Sequence, residues 1–391
     1  MKVAAIIAEY NPFHNGHKYQ IEQIKKSYDA VIVIMSSSFT QRGIPAIIDK
    51  FTRAEIAISE GADIVLELPV IFSSSNAEIF SKGAIGILKN IDFINALYFG
   101  TEDPLDKILN ISEKIKNSRD IIDKKIREYL SSGNSFLTAR EKSLDFLNED
   151  EKLILKKPNN ILAFEYIKAL DFYNSDIEPK NIIRYKSNHN SHKSSENYSS
   201  GSNIRFLALN ERLDICCDFM PYLSSLALKN KKLNFYNNYF NIFKFKVLEN
   251  KINYYEYFDF EKGLDDRFKK YLFHNNIDDF ISDVSTKRYT KSRISRLINN
   301  IILDIKKDFV LSSMGVQYFR VLALSETGGK LIKNDNRFIR KFSKIFNEYD
   351  EKIKLIAEKE IFATNLYNMY TNNIYNEDYI KSPYYKKELR D

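Results

Sequence analysis

The first hundred residues alternate short, β-rich apolar runs with longer segments whose apolar positions recur every three or four residues. Val3 to Ala8, Ala30 to Met35, Asp63 to Leu68 and Ala96 to Phe99 are each bounded by polar, Gly or Pro residues, the pattern of strands buried on both faces. Between them, His17 to Lys26, Phe51 to Glu60 and Asn76 to Ile91 have helical periodicity and read as crossover helices. This alternation predicts an α/β, Rossmann-like parallel sheet covered on both faces.

Residues 104 to 157 are rich in Lys, Glu and Asp at helical spacing, which predicts helices at the edge of the sheet. The run "PNNILAFEYIKALDFY" (158 to 173) reads as a helix: Pro158 suits its first turn, and Ile161, Leu162, Phe164, Tyr166, Ile167 and Leu170 form its apolar stripe. A fifth strand is expected at Asn181 to Tyr185, then a polar loop over 186 to 203. From about residue 204 the pattern turns to long Tyr, Phe, Ile and Leu stripes without further strand–helix alternation. The expected organisation is a Rossmann-like domain over 1–209 and a mainly α-helical domain over 210–391.

Length agrees with two domains, since 391 residues exceed one ordinary core. Hydrophobic residues make up 44%, and no apolar run approaches the roughly 18 residues that span a membrane. The opening "MKVAAIIAEY" meets Glu9 and no small-residue cleavage site, so no signal peptide is read and a cytoplasmic location is expected. A net charge of +7 is modest for this length and identifies no polyanion partner by itself. Adjacent Cys216 and Cys217 suit neither an ordinary disulfide nor a zinc set and read as buried apolar residues.

The chemistry concentrates in "IIAEYNPFHNGHKYQ". A phosphate-binding turn needs a strand ending at the sheet's carboxyl edge, a glycine for close backbone approach and a helix whose first N–H groups face the anion. This stretch supplies all three, but with His14 and His17 where a P-loop carries Gly-Lys-Ser. Five histidines and twelve glycines in the chain make H-x-G-H too rare to be an accident of composition. Imidazoles beside a phosphate chain donate hydrogen bonds to charge that grows as a nucleophile attacks the α-phosphate, which points to adenylyl transfer.

H-x-G-H after a first strand resembles the nucleotidyltransferase superfamily related to the class I aminoacyl-tRNA synthetases. The longer run "AEYNPFHNGHKYQ" resembles, more narrowly, the tRNA(Met) cytidine acetate ligase family. So do "QRGIPAIIDKFTRAEIAISEGADIVLELP" (41 to 69), "ALYFGTE" (96 to 102), "PNNIL" (158 to 162) and, more distantly, "KRYTKSRISRLI" (287 to 298). The likeness is dense over 1 to 185 and thin afterwards. It implies an enzyme that joins acetate to ATP, giving acetyl-adenylate and pyrophosphate, and then acetylates N4 of the wobble cytidine of elongator tRNA(Met). By the same resemblance Ile7, Ala8, Glu9, Tyr10, Asn11, Pro12, Phe13, His14, Asn15, Gly16, His17, Lys18, Tyr19 and Gln20 form the ATP-binding turn. Gly100 is a second close approach to the nucleotide, Asn159 or Asn160 a polar contact and Arg184 a charge against the phosphates. "SGSNIR" (200 to 205) matches a Ser/Thr-rich stretch of relatives ending in arginine, so Ser202 would bond phosphate and Arg205 offset the charge of leaving pyrophosphate. The chain departs from the family after Arg184, where "YKSNHNSHKSS" replaces a glycine-rich turn.

Other residues carry two readings each. Lys50 and Asp49, after strand 2, are candidates to reach the triphosphate and to orient it or a Mg²⁺ ion, and equally an exposed charged helix cap; Gln41 and Arg42 share that choice. Glu67, inside "DIVLELP", needs a partner if buried, so it is either functional or paired with a basic neighbour. His189 and His192 lack nearby metal-ligating residues and suit phosphate contact better than a metal site. The segment holding Lys287, Arg288, Lys291, Arg293, Arg296, Lys306 and Lys307 is either an RNA phosphate-binding face or a solvated basic helix. The Tyr-rich 366 to 387 reads as packing rather than base stacking. Two rival functions remain at this stage: a cofactor adenylyltransferase with the same first-turn chemistry, and a non-catalytic RNA-binding protein on a dead nucleotide fold.

Overall fold

The computed structural model describes residues 1–134, 136–184, 198–286, 288–315 and 318–387. Strands Val3–Ala8 (β1), Ala30–Ser36 (β2), Ile64–Leu68 (β3), Ala96–Thr101 (β4) and Glu178–Ile183 (β5) run parallel. β2 and β3 are buried at every residue, which is why, Ser36 and Glu67 apart, they read as apolar runs. Helices Asn15–Lys25 (α1), Lys50–Ser59 (α2) and Ala77–Leu88 (α3) make the crossovers. Each starts where a side chain, of His14, Asp49 or Asn76, accepts from a backbone N–H of the first turn. Ile32 and Ile34 enter one core with Leu66 and Ile85, while Val31, Val33 and Met35 enter a second with Ile56, so alternate residues of β2 feed opposite faces.

Strand order reverses beside β1. The chain passes through β2 to β3 on one side, then crosses to β4 and β5 on the other. The carboxyl ends of β1 and β4 therefore flank the crevice in which open α/β sheets hold ligands. Helices over 105–117, 119–131, 136–143 and 149–154 lead to Pro158–Phe172 (α4), as their spacing predicted. β5 begins three residues earlier than expected, because pairing with β4 recruits Glu178, Pro179 and Lys180. Tyr185, His189 and His192 lie outside the described residues.

The C-terminal half is mostly helical but corrects one expectation, since strands occur beyond residue 204. Phe319–Ser325 (β6) lies antiparallel to β3, with Val65 opposite Ala323 and Ile64 opposite Leu324. Phe338–Ile339 (β7) and Tyr384–Lys386 (β8) both pair with β6. A long-range partner made the buried run "FRVLALS" a strand; nothing local distinguished it from a buried helix turn. One core contains residues as far apart as Val3 and Tyr367, so the two halves share their packing. Among the described residues no helix is long and apolar enough to cross a membrane.

Candidate active site

The turn after β1 fixes both histidines in the same way. His14 caps α1, its Nδ1 accepting from Gly16 N–H at 3.1 Å, while His17 Nδ1 accepts from His14 N–H at 3.2 Å. A backbone N–H can be bonded only by an unprotonated ring nitrogen, so each neutral imidazole carries its hydrogen on Nε2. The rings stack at 3.7 Å between centroids and 18° between planes. Tyr10 and Phe13 pack against His17 at 4.8 and 5.5 Å. Burial, then the neighbouring His14 and Arg184, holds the pKa of His17 well below its usual value. A Cβ on Gly16 would sit 3.0 Å from His14 Cε1 and 3.1 Å from its Nδ1, so this position admits no side chain without moving the ring. Tyr10 stands at φ 47°, a left-handed conformation unusual for a tyrosine, and is buried beneath the turn.

β4 and β5 bring the next set to the same edge. Arg184 follows β5, and its Nη1 donates to Asn159 Oδ1 at 3.0 Å. Asn159 donates through N and Nδ2 to Glu102 Oε1 at 3.2 and 2.5 Å, and Asn160 N donates to Glu102 Oε2 at 3.0 Å. Glu102, which the sequence reading passed over, thus hooks the N-terminus of α4 onto the end of β4. A Cβ on Gly100 would lie 3.3 Å from Arg184 Cγ and Cδ, so the missing side chain is what lets Arg184 cross β4. Of the two asparagines, Asn159 touches the arginine; Asn160 faces Glu102, Asp103 and the Ile154 carbonyl.

A third element closes on the turn. Gly201–Leu209 (α5) is capped by Ser200 and carries Ser202 in its first turn. Arg205 Nη1 donates to the Asn11 carbonyl at 2.5 Å. Burial, and then Arg42, lowers the Arg205 pKa to about 10 against the pull of Glu9, and burial and Arg42 likewise lower that of Arg184. Arg42 therefore acts on both Arg184 and Arg205 beside two neutral imidazoles, a field suited to a polyphosphate. Arg53, fully buried, donates to the carbonyls of Glu9, Ser36, Ser37 and Ile48 at 2.5–3.0 Å and ties the ends of β1 and β2 together. Within the turn itself Lys18 pairs with Glu60 at 3.0 Å, and Tyr19 is on the exposed side of α1.

Lys50 and Asp49 are not brought to this set. Lys50 Nζ is enclosed by Glu67, Glu360 and Asp378 at 2.5, 2.9 and 2.9 Å, and Arg320 completes the cluster at 3.0 Å from Glu67 and 2.7 Å from Asp378. Ser37 Oγ also donates to Glu360, as does Val70 N at 2.7 Å. All five charged side chains are buried. Burial, with Glu67 close by, raises Glu360 to about 7, whereas Arg320 and Lys50 overcome burial and hold Asp378 at about 2. Glu67 thus finds the basic partner its burial required, and Lys50 has no path to a triphosphate. Asp49 caps α2 through Thr52 N and Oγ1 at 2.9 and 2.8 Å, the ordinary capping alternative.

The basic segment is also largely engaged within the protein. In Lys291–Leu303 (α6), Arg296 pairs with Asp259 at 2.7 Å and Arg293 bonds the Asp259 carbonyl and Glu261; Arg288 also pairs with Glu261. Lys306 pairs with Glu256 at 2.7 Å. Lys287 lies outside the described residues. Gly43, in the turn that carries Arg42, packs so tightly on α6 that a Cβ would strike the backbone of Ser295 and Arg296. Cys216 is buried, as expected, and Cys217 is half-buried.

Comparisons with known proteins place the whole chain in a family. The family model described as HIGH Nucleotidyl Transferase matches residues 1–381. A tRNA(Met) cytidine acetate ligase of Clostridium botulinum is 37% identical over 98% of this chain and 98% of its own length. A Clostridium perfringens protein of the same name is 32% identical over 98% and 99%. The crystal structure of apo Thermotoga maritima TmcAL matches with a TM-score of 0.92 at 30% identity, covering 99% of this chain and 100% of that one. TmcAL bound with alpha-thio ATP matches at 0.87 and 29% over the same shares. With a whole-length family match, close relatives of one name and a shared fold around the paired histidines, the chain belongs to the tRNA(Met) cytidine acetate ligase family.

Proposed function

We propose that the protein is an ATP-dependent ligase that activates acetate as acetyl-adenylate and acetylates N4 of the wobble cytidine of elongator tRNA(Met). The observation that carries this reading is the stacked His14–His17 pair, both hydrogens on Nε2, at the crevice where strand order reverses. An acetate oxygen attacks the α-phosphorus of ATP as the bond to the bridging oxygen breaks and pyrophosphate leaves. The Nε2–H groups and the first N–H groups of α1 donate to α-phosphate oxygens whose charge grows in the transition state. Arg184, held by Asn159 over Gly100, and Arg205, with Ser202 in the same helix start, face the β- and γ-phosphates. The cytidine N4 then attacks the carbonyl carbon of the mixed anhydride, AMP departs and the amine proton passes to solvent. Asn160 serves through Glu102, and Lys50 and Asp49 serve the fold.

ATP is the co-substrate. Mg²⁺ would arrive with the triphosphate of ATP. Residues 1–209 supply the nucleotide site and 210–391 the surface for tRNA, a division of labour within one shared core, and the reaction is assigned to the cytoplasm. ATP–pyrophosphate exchange tests the reading. Exchange that requires acetate supports it; exchange that requires a phosphate-bearing cofactor instead indicates an adenylyltransferase; no exchange indicates a binding protein. Mass spectrometry of tRNA(Met) from a deletion strain should show loss of N4-acetylcytidine.

A further inference from the structure

Where β6 ends, a cavity of about 420 Å³ opens between the short helix Glu326–Leu331 and the β8 segment. Because β6 is antiparallel to β3, with Leu324 opposite Ile64, this cavity lies at the amino edge of the parallel strands. It is on the order of 20 Å from His14, taking about 3.3 Å per strand residue and about 4.8 Å between strands. Nothing in the adenylate chemistry uses it.

Its two walls differ in chemistry. One presents Lys333 and Arg340, from separate segments, both exposed and without a carboxylate partner among the described residues. The only carboxylate of the lining, Glu326, is matched by Lys330 at 3.0 Å. The other wall is Tyr385 with Pro383 and Leu324. Tyr385 is 45% exposed and lies beside Gly329, where an added Cβ would stand 3.4 Å from its Cε2. An exposed aromatic ring is a stacking platform for a base, and two cations lining one cavity bond a phosphate oxygen pair. The volume suits a single nucleotide unit. Sequence-bearing contacts to RNA are made to unpaired nucleotides whose bases can be splayed onto such a platform.

We propose that this cavity binds one unpaired nucleotide of the acceptor tRNA, its base on Tyr385 and its phosphate between Lys333 and Arg340, as an anchor remote from the acetylated base. The proposal rests on the tRNA-ligase reading above. It makes the C-terminal strands, rather than the internally paired arginines of α6, the RNA-holding part of the chain.

Fluorescence anisotropy with a labelled tRNA(Met) transcript, repeated over a salt series, is the test. The K333A/R340A variant should weaken binding about tenfold and reduce the slope of log K against log salt by about one. Y385A should weaken it about fivefold or more without changing the slope, and Y385F should bind like the parent. Acetate-dependent exchange should be unaltered in all three. Binding of tRNA within twofold of the parent by both alanine variants overturns the proposal. So does a site that takes free AMP or CMP in the parent and loses it in the variants while tRNA affinity stays the same. A parent protein that binds no tRNA sinks the ligase reading together with this one, whereas normal tRNA binding by the variants sinks this one alone.

Discussion

Replacing His17 by asparagine or by glutamine separates its two nitrogens. Asparagine can place its amide oxygen near the Nδ1 position, where it would still accept from His14 N–H, now bonded at 3.2 Å, but it puts nothing at Nε2. Glutamine reaches towards the Nε2 position with an N–H, and its amide oxygen can accept from His14 N–H as the third residue of a capping box. If Nε2–H meets charge developing on the α-phosphate, His17→Asn should lower acetate-dependent ATP–pyrophosphate exchange by roughly 10²–10³, about 3–4 kcal/mol at the transition state. Its stability loss should be about 1 kcal/mol, from ring contacts with Tyr10 and Phe13. His17→Gln should keep the cap bond and hold exchange within about tenfold of the parent. Urea denaturation supplies the stability and isotope exchange the rate. A folded His17→Asn protein that exchanges within about threefold of the parent would refute the transition-state role. His17 adds a pH signature as well. With its folded pKa below 6.5, the unfolded chain takes up a proton that the native state refuses, so this group lowers stability as pH falls beneath 6.5.

Gly16→Ala should leave the urea midpoint nearly unchanged, because alanine suits a helix, yet cut exchange about tenfold by pushing the His14 ring a few tenths of an ångström from a contact already at 3.0 Å. Lys50→Met should cost about 3–5 kcal/mol in urea denaturation, since Glu67, Glu360 and Asp378 would share only Arg320, while the folded fraction keeps its exchange rate; equal stability with lost exchange would return Lys50 to the chemistry. For Glu360 the native state holds a proton up to about 7 that the unfolded chain gives up near 4.5. Parental stability from this group should therefore fall as pH rises through that window, by about 3 kcal/mol in all. Glu360→Gln should lack that fall, seen as the difference between parent and variant urea curves from pH 4.5 to 8, where the His17 contribution cancels.

The residues that sequence alone exposed are those whose partners are local. β1 to β4 were legible because strands covered on both faces carry apolar runs between breakers, and the His14–Gly16–His17 turn because strand, glycine and helix start are consecutive. Asn159, Arg184 and Arg205 came only through family likeness, yet each sits where a strand end or helix start delivers it. The C-terminal strands were hidden because β6 pairs with a strand more than 250 residues earlier, a distance at which no periodicity speaks. Lys50 misled for the same reason. A lysine at a helix start beside a sheet edge resembles a phosphate ligand until Glu360 and Asp378 arrive from the far end of the chain. Glu67 gave the one local clue, a carboxylate inside an apolar strand, and its partner could not be named. Arg53 gave none, since four backbone carbonyls leave no mark on a sequence.

The antiparallel pairing of β6 with β3 has a bearing on biosynthesis. As the ribosome extends the chain at about 5–20 residues per second, β3 emerges long before Arg320 and its neighbours, a lag of roughly ten to fifty seconds. Throughout that interval a largely apolar strand offers an uncovered hydrogen-bonding edge, and its Glu67 has Lys50 but not yet Arg320 for a partner. A nascent chain in that condition is a natural client for a holding chaperone, and an expression host that translates slowly or lacks one should yield more of this protein as aggregate.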